Sequence, residues 1–304
     1  MTTSSKPEKL DTRVHELVRF YTGRLGRPLS FFEVMRGTSP SAALGAGDAS
    51  PLATTQTLDT LIASGDLRMD GGFITTSTGP SATARTAQDF LLDQKWRRFL
   101  RFTNIFQHAP FIEAVFVGGS LALGNVTSAS DFDLLIVVRP GRMFTARYIL
   151  LASALLRGVR RRTDDPVSEA DKFCLNHFVT GETWSKPPHN LYRRELYRNL
   201  VPVWGDPATI RAFIEANRWC GRTDWSPDDF RWQGSRRSIL RKLLEAVLAD
   251  RSGDFVERKM ARPIALRRLK RYLDHQAGET GRVVVTDTEL EFHLSLPYED
   301  APCI

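Results

Sequence analysis

The period of the apolar positions changes along the chain, and each change marks a predicted structural boundary. Leu10, Val14, Leu17, Val18 and Tyr21 follow the spacing of one helical face. Pro28-Leu29-Ser30 opens a shorter helix carrying Phe31, Phe32, Val34 and Met35. A loop of small residues, Gly37–Ser50, follows. Pro51 suits a first helical turn, and Leu52, Thr55, Leu58, Leu61 and Ile62 carry the stripe of a third helix that ends at Gly65. Leu67-Arg68-Met69 and Phe73-Ile74-Thr75 then flank Asp70-Gly71-Gly72, a strong hairpin signal. Residues 77–88 are small and polar and predict a linker. A helix is expected from Asp89 to Phe106, with Phe90, Leu91, Trp96, Phe99, Leu100 and Ile105 as its apolar positions.

Beyond this point short continuous apolar runs bounded by turns replace the helical period. One strand leads into Gly118-Gly119-Ser120, and a second follows Ser130-Asp131-Phe132-Asp133 until Pro140-Gly141 breaks it. Phe144–Arg157 predicts a helix, Arg160–Asp171 a charged loop, and Phe173–Val179 a third core strand. Past Leu191 the pattern is helical over Tyr192–Leu200, Ala208–Asn217, Ser235–Asp250 and Asp254–His275, with a break or kink at Pro263. Arg282–Thr286 and Leu290–Leu296 around Asp287-Thr288 predict a closing β-hairpin. The expected class is α+β or mixed α/β. The expected domains are 1–80, 85–190 and a helical, basic region 191–304 with its terminal hairpin. Three helices and a hairpin over 10–75 resemble a winged helix. The third of them, Pro51–Ser64, holds Asp59 and no Lys or Arg, so it suits docking better than reading a DNA groove.

Composition changes this picture in two places. At 304 residues and 42% hydrophobic, the chain has material for a sizeable core. Its polar first residues lack an apolar leader, and the most apolar stretch, Tyr148–Leu156, is far shorter than the ~20 residues of a membrane span. Cys174, Cys220 and Cys303 are widely separated and form no metal-binding pattern. These features predict a cytoplasmic protein with no membrane partner. The net charge is +7, but it is local. Arg231–Arg271 holds thirteen Lys/Arg against four Asp/Glu, or +9, leaving about −2 for the rest. That segment is either a solvated helix face or a surface for nucleic acid or another polyanion.

The chemistry concentrates in Val115–Val138. Gly118 and Gly119 permit close backbone approach to a phosphate, and Ser120 adds a hydroxyl. Asp131 and Asp133 are two residues apart, which in a strand places both on one face. Paired carboxylates beside a phosphate-cradling turn suit a divalent cation and a nucleoside triphosphate. Ser130 is expected to fix the loop before Asp131.

The order Gly119-Ser120, a small-residue loop with Gly124, then Ser130-Asp131-Phe132-Asp133 entering Leu134-Leu135-Ile136, resembles the nucleotidyltransferases of the DNA polymerase beta type. The likeness is greatest to their minimal bacterial members and covers about two dozen residues. The resemblance implies transfer of a nucleoside monophosphate, AMP above all, from a triphosphate such as ATP to a hydroxyl acceptor. It implies Mg²⁺ or Mn²⁺ held by Asp131 and Asp133. It also implies a third carboxylate on a neighbouring strand, and here the sequence departs, because Phe173–Val179 has none. Asn176, a neutral oxygen ligand, or His177, an imidazole base, stands there, and Asp171 lies just before the strand. Three readings stay open: a single-metal or His177-assisted enzyme, an enzyme in which Asp171 substitutes, or a regulatory protein that binds a nucleotide without transferring it.

Overall fold

The computed structural model describes residues 9–38, 50–161, 169–184, 190–222, 225–267 and 282–293. Most of the loops predicted over 37–50 and 160–171, and the stretch from 268 toward His275, lie outside them. The described chain forms two compact units. The first comprises residues 1–94 with 124–127 and 218–222, and the second 95–123, 128–217 and 223–304.

In the first unit, α1 (Leu10–Arg19) continues into a π-helical turn, Phe20–Arg24. β1 (Leu29–Ser30) leads directly into α2 (Phe31–Thr38). Ser30 and Glu33 cap α2 reciprocally. Glu33 Oε2 accepts from the Ser30 N–H at 2.7 Å, and Ser30 Oγ accepts from the Glu33 N–H at 3.3 Å. α3 (Pro51–Ala63) starts at Ser50, whose side chain accepts from the Ala53 N–H. β2 (Leu67–Asp70) and β3 (Phe73–Thr76) pair about Gly71-Gly72, both at positive φ as a tight two-residue hairpin requires. β1 joins the outer side of β3 to complete a small sheet ordered β1-β3-β2. Val14, Leu17, Val18, Val34, Leu58 and Ile74 form the core.

α4 (Ala82–Leu100) begins seven residues before the predicted Asp89. Ala82, Ala84, Ala87 and their polar neighbours lack an apolar stripe, so periodicity read them as linker. Their helix propensity is nevertheless high. The chain passes into the second unit within this helix.

The second unit is built on six strands ordered β7-β4-β5-β6-β9-β8. β4 (Ile112–Val117) runs into the short α5 (Gly119–Leu123), and β5 (Phe132–Val138) returns antiparallel to β4. α6 (Met143–Leu156) crosses over to β6 (Phe173–Val179), which lies parallel to β5. α7 (Leu191–Asn199) precedes β7 (Val201–Gly205), which pairs with β4. β7 adds a strand to the region after 191 that was expected to be helical up to its terminal hairpin. Five residues containing Pro202 show no strand signature, and Pro is tolerated because β7 is an edge strand. α8 (Pro207–Ala216), α9 (Ile239–Val247) and α10 (Arg251–Phe255) follow. A π-helical stretch, Val256–Ala261, carries the chain into helical residues 262–267. The widened turn stands before Pro263, which lacks the N–H of a regular helix. β8 (Arg282–Val285) and β9 (Glu289–His293) form the predicted hairpin, and β9 pairs with β6.

One face of this sheet is sealed by aromatic packing. Phe99 lies 5.4 Å from Phe132 and 5.3 Å from Phe173, and Phe106 stacks on Phe173 at 5.8 Å. That leaves Asp133, two residues along from Asp131, on the opposite face.

Candidate active site

The local chain path explains why the two halves of the site meet. β4 ends at Val117, and the Gly118 N–H donates to the Asp133 carbonyl at 2.9 Å. The Gly-Gly-Ser turn is thereby fixed to the strand that carries the acid. Gly119 has φ +55°, and a Cβ there would occupy the space of the Asp133 carboxylate. Glycine is required on both counts: the backbone is left-handed, and the carboxylate rests directly against it.

Asp131, Asp133 and Cys174 each offer a ligand atom, all within 4.8 Å of one another. Cys174 stands opposite Asp133 in the parallel β5–β6 register. The Asp131 carboxylate is also held by Arg161, Nη1 to Oδ2 at 2.7 Å, and Arg161 Nη1 lies 3.8 Å from Cys174 Sγ. Burial, with the neighbouring charge of Asp133, pushes the Asp131 carboxyl up to about 6 despite Arg161. Burial also raises Asp133, against the hydrogen bond from Cys174 and the charge of Arg161. Burial and the two carboxylates raise the Cys174 thiol well above its ordinary value. Two carboxylates pressed together inside the protein form a site with excess negative charge, and a divalent cation supplies what it lacks. The two carboxylate oxygens fit such an ion, while the neutral Cys174 thiol beside them adds no charge.

Lys95, fully buried, donates to the carbonyls of Ser128 at 2.9 Å and Ser130 at 2.6 Å. Its ammonium also pairs with Asp171 Oδ1 at 2.9 Å. The Asp171 N–H donates to the Ser130 carbonyl at 3.2 Å, and Arg98 holds Asp171 Oδ2 at 2.6 Å. Ser130 thus anchors the approach to Asp131 through its main chain. Asp171, at φ +63°, takes part in the same brace. Its carboxylate is engaged by two cations and is not a member of the Asp131–Asp133–Cys174 group.

Asn176 and His177 follow a register shift in β6. Cys174 pairs with Asp133, but His177, not Asn176, pairs with Leu135. The extra residue returns His177 to the Asp133 face. There it joins a second group with Glu289 and Glu291 of β9.

Sequence reasoning missed Cys174, Arg161 and Lys95. Cys174 gives no signal in the sequence because the three cysteines are widely separated. Its role comes from strand register, which no local pattern reports. Lys95 sits inside a helical pattern, where a charged residue reads as solvent-facing.

Every one of the eight Lys/Arg at 236, 237, 242, 251, 258, 259, 262 and 267 is exposed. Arg241 instead is fully buried, donating to the Ile112 carbonyl at 2.5 Å and pairing with Glu245 at 2.8 Å. Glu245 accepts from the Phe111 N–H, and Glu257 accepts from the Phe144 and Thr145 N–H groups at the start of α6. Inward acids and outward cations give this segment its basic surface. No helix among the described residues is long and apolar enough to cross a membrane.

Comparison with known proteins agrees with the geometry. No curated protein and no solved structure gives a significant match. Residues 101–175 match the family model described as a nucleotidyltransferase domain, the stretch that holds β4, α5, the paired aspartates and Cys174, and this part of the chain is accordingly nucleotidyltransferase-like.

Proposed function

We propose that the protein transfers a nucleoside monophosphate, AMP from ATP, to a hydroxyl acceptor. The observation that carries this reading is the contact of the Gly119 backbone with the Asp133 carboxylate, which puts a phosphate cradle and a pair of metal-binding acids at one point. Gly118, Gly119 and Ser120 would bind the triphosphate, and Asp131 and Asp133 would hold Mg²⁺ or Mn²⁺. The ion would neutralise charge on the phosphate oxygens and acidify the acceptor hydroxyl. Arg161, which holds the Asp131 carboxylate, would lie beside the phosphates of a triphosphate bound there. Asp171, Lys95 and Ser130 position the Asp131 loop. The exposed cations of residues 236–267 favour an anionic acceptor, such as a nucleic-acid end. The N-terminal unit, winged-helix-like in its order of elements, serves as a docking module.

A second reading, nucleotide binding without transfer, is favoured by one observation. A neutral thiol, Cys174, stands beside the acid pair, and Arg161 already compensates Asp131. Incubation with Mg²⁺ and ATP labelled in the α-phosphate, with RNA, protein and small-molecule hydroxyl acceptors, separates the two. Label transferred to an acceptor supports the enzyme. Binding of ATP with no transfer to any acceptor replaces it with the second reading. Salt-dependent RNA binding that Arg258→Glu/Lys259→Glu weakens supports the anionic acceptor.

A further inference from the structure

The segment between Gly119 and Asp131 is divided between the two units. Gly119–Leu123, which is α5, belongs to the second, residues 124–127 belong to the first, and the chain returns to the second at Ser128. Gly124 marks the crossing, directly after α5 and at φ +80°. A left-handed residue in that position ends a helix and favours glycine. A Cβ there would also stand 2.7 Å from Arg27 Cζ. Gly124 thus makes room for Arg27 as Gly119 does for the Asp133 carboxylate.

Arg27 is 5% exposed, and its Nη1 donates to the Gly124 carbonyl at 2.8 Å. The guanidinium that makes this bond is itself fixed. Asp89 Oδ1 accepts from Nη1 at 3.0 Å and Gln88 Oε1 at 3.3 Å, both from α4. Glu33 Oε1 of α2 accepts from Nη2 at 3.4 Å. The Arg27 N–H donates to the Tyr21 carbonyl at 2.9 Å. By contrast α5 has five residues, and a helix that short does not stabilise its own ends. They are fixed from outside. The Gly118 N–H is tied to the Asp133 carbonyl at one end, and the Gly124 carbonyl is tied to Arg27 at the other.

We infer that Arg27 is a positioning residue for nucleotide binding: through the Gly124 carbonyl it fixes the end of α5, and with it the Gly119-Ser120 turn at the start of the same five residues. The inference rests on the reading of that turn as the triphosphate cradle. It adds that a residue of the N-terminal unit, outside the matched stretch 101–175, sets the geometry of the cradle. Asp89 lies closer to Arg27 than Glu33 does. Neutralising Glu33 therefore removes stability while leaving the bond to Gly124 in place.

The test compares full-length wild type, Arg27→Lys and Glu33→Gln by thermal melts, by calorimetric affinity for ATP with Mg²⁺, and by amide hydrogen exchange over residues 119–130 in the free protein. Lysine keeps the charge but lacks the planar fork that reaches Asp89 and Gly124 together. Arg27→Lys should weaken ATP binding about tenfold and speed exchange over 119–130 by a similar factor. Glu33→Gln should lower Tm, with ATP affinity and exchange over 119–130 as in wild type. Wild-type affinity and exchange in Arg27→Lys overturn the inference, and so do losses that follow Tm alike in both variants. If wild type binds no ATP, the cradle reading fails, and exchange over 119–130 alone decides whether Arg27 holds α5. Should Arg27→Lys not fold, Gly124→Ala, which leaves Arg27 in its network, decides by the same readings.

Discussion

Two half-buried charge clusters in this protein handle their carboxylates in opposite ways. In the N-terminal unit, Glu33 lies between Arg85, bound at 2.9 and 3.0 Å, and Arg27 at 3.4 Å, while Asp89 pairs with both arginines. Burial alone would raise the Glu33 carboxyl. Hydrogen bonds from Arg85 and the Ser30 N–H, with the charges of both arginines, bring it down to about 2. In the second unit, Asp131 and Asp133 share, among the described residues, Arg161 and a neutral thiol, and Asp131 is pushed up to about 6. Two acids facing two guanidiniums are a closed structural network. Two acids facing one guanidinium are a cluster that gains from another cation. The local ratio of charges, more than burial itself, separates scaffold from site.

The largest effect should come from removing the open cluster. Asp131→Ala/Asp133→Ala should abolish metal-dependent ATP binding in calorimetry and lower any transfer by at least about a thousandfold. The fold should survive, because the change relieves repulsion between the carboxylates. Unchanged Mg²⁺-dependent ATP affinity would sink the assignment.

The closed cluster should respond in stability and not in chemistry. Glu33→Gln leaves Arg85, 8% exposed, with a single acidic partner and should cost about 3 kcal/mol. The pH dependence has a definite sign. A carboxyl depressed in the folded state stabilises fully above its unfolded value of 4.5, and that contribution is lost as pH falls toward about 2. The gap between wild type and Glu33→Gln in thermal melts should therefore be full at pH 7 and visibly narrower at pH 3. A gap that widens at pH 3 would contradict the network, and altered ATP affinity would show that it is not purely structural.

Gly119→Ala should have a smaller effect at the open cluster. It forces a side chain to φ +55° and drives the Asp133 carboxylate from its place. ATP affinity should fall roughly tenfold to a hundredfold, with far-UV circular dichroism unchanged. Wild-type affinity would mean that the phosphate cradle lies elsewhere.

What was legible follows the same divide. Gly118-Gly119-Ser120 and Asp131-Phe132-Asp133 are local along the chain, although Asp131 lies just before β5 and not within it. The hairpin at Gly71-Gly72 was legible for the same reason, since its turn chemistry is contained in two residues. Cys174 was not, because its place opposite Asp133 depends on the parallel register of β6. Nor was the separation of His177 from the acid pair, which depends on one extra residue in that strand. β7 was hidden because an edge strand tolerates Pro202 and needs no long apolar run. Sequence pattern reports what neighbours in the chain do together, while pairing between distant strands depends on the whole sheet.

The smallest predicted effect probes that hidden position. If the open cluster is short of ligand charge, then Cys174→Asp places a third carboxylate opposite Asp133 on the neighbouring strand. Without metal, three acids around Arg161 repel one another, and the variant should be less stable than wild type. With metal, the added charge should tighten divalent binding by about tenfold, as ligand charge governs affinity for hard cations. Cys174→Ser, with the same shape and no charge, should change Mg²⁺ affinity little and isolates the contribution of charge from that of packing. Calorimetric titration with Mg²⁺ and with Mn²⁺, alongside melts in chelator, measures both halves of the expectation. Tighter binding that is accompanied by increased α-phosphate transfer would show that the cysteine limits the enzyme. Binding unchanged by Cys174→Asp would mean that residue 174 does not face the ion, and the comparison of clusters would then rest on Asp131 and Asp133 alone.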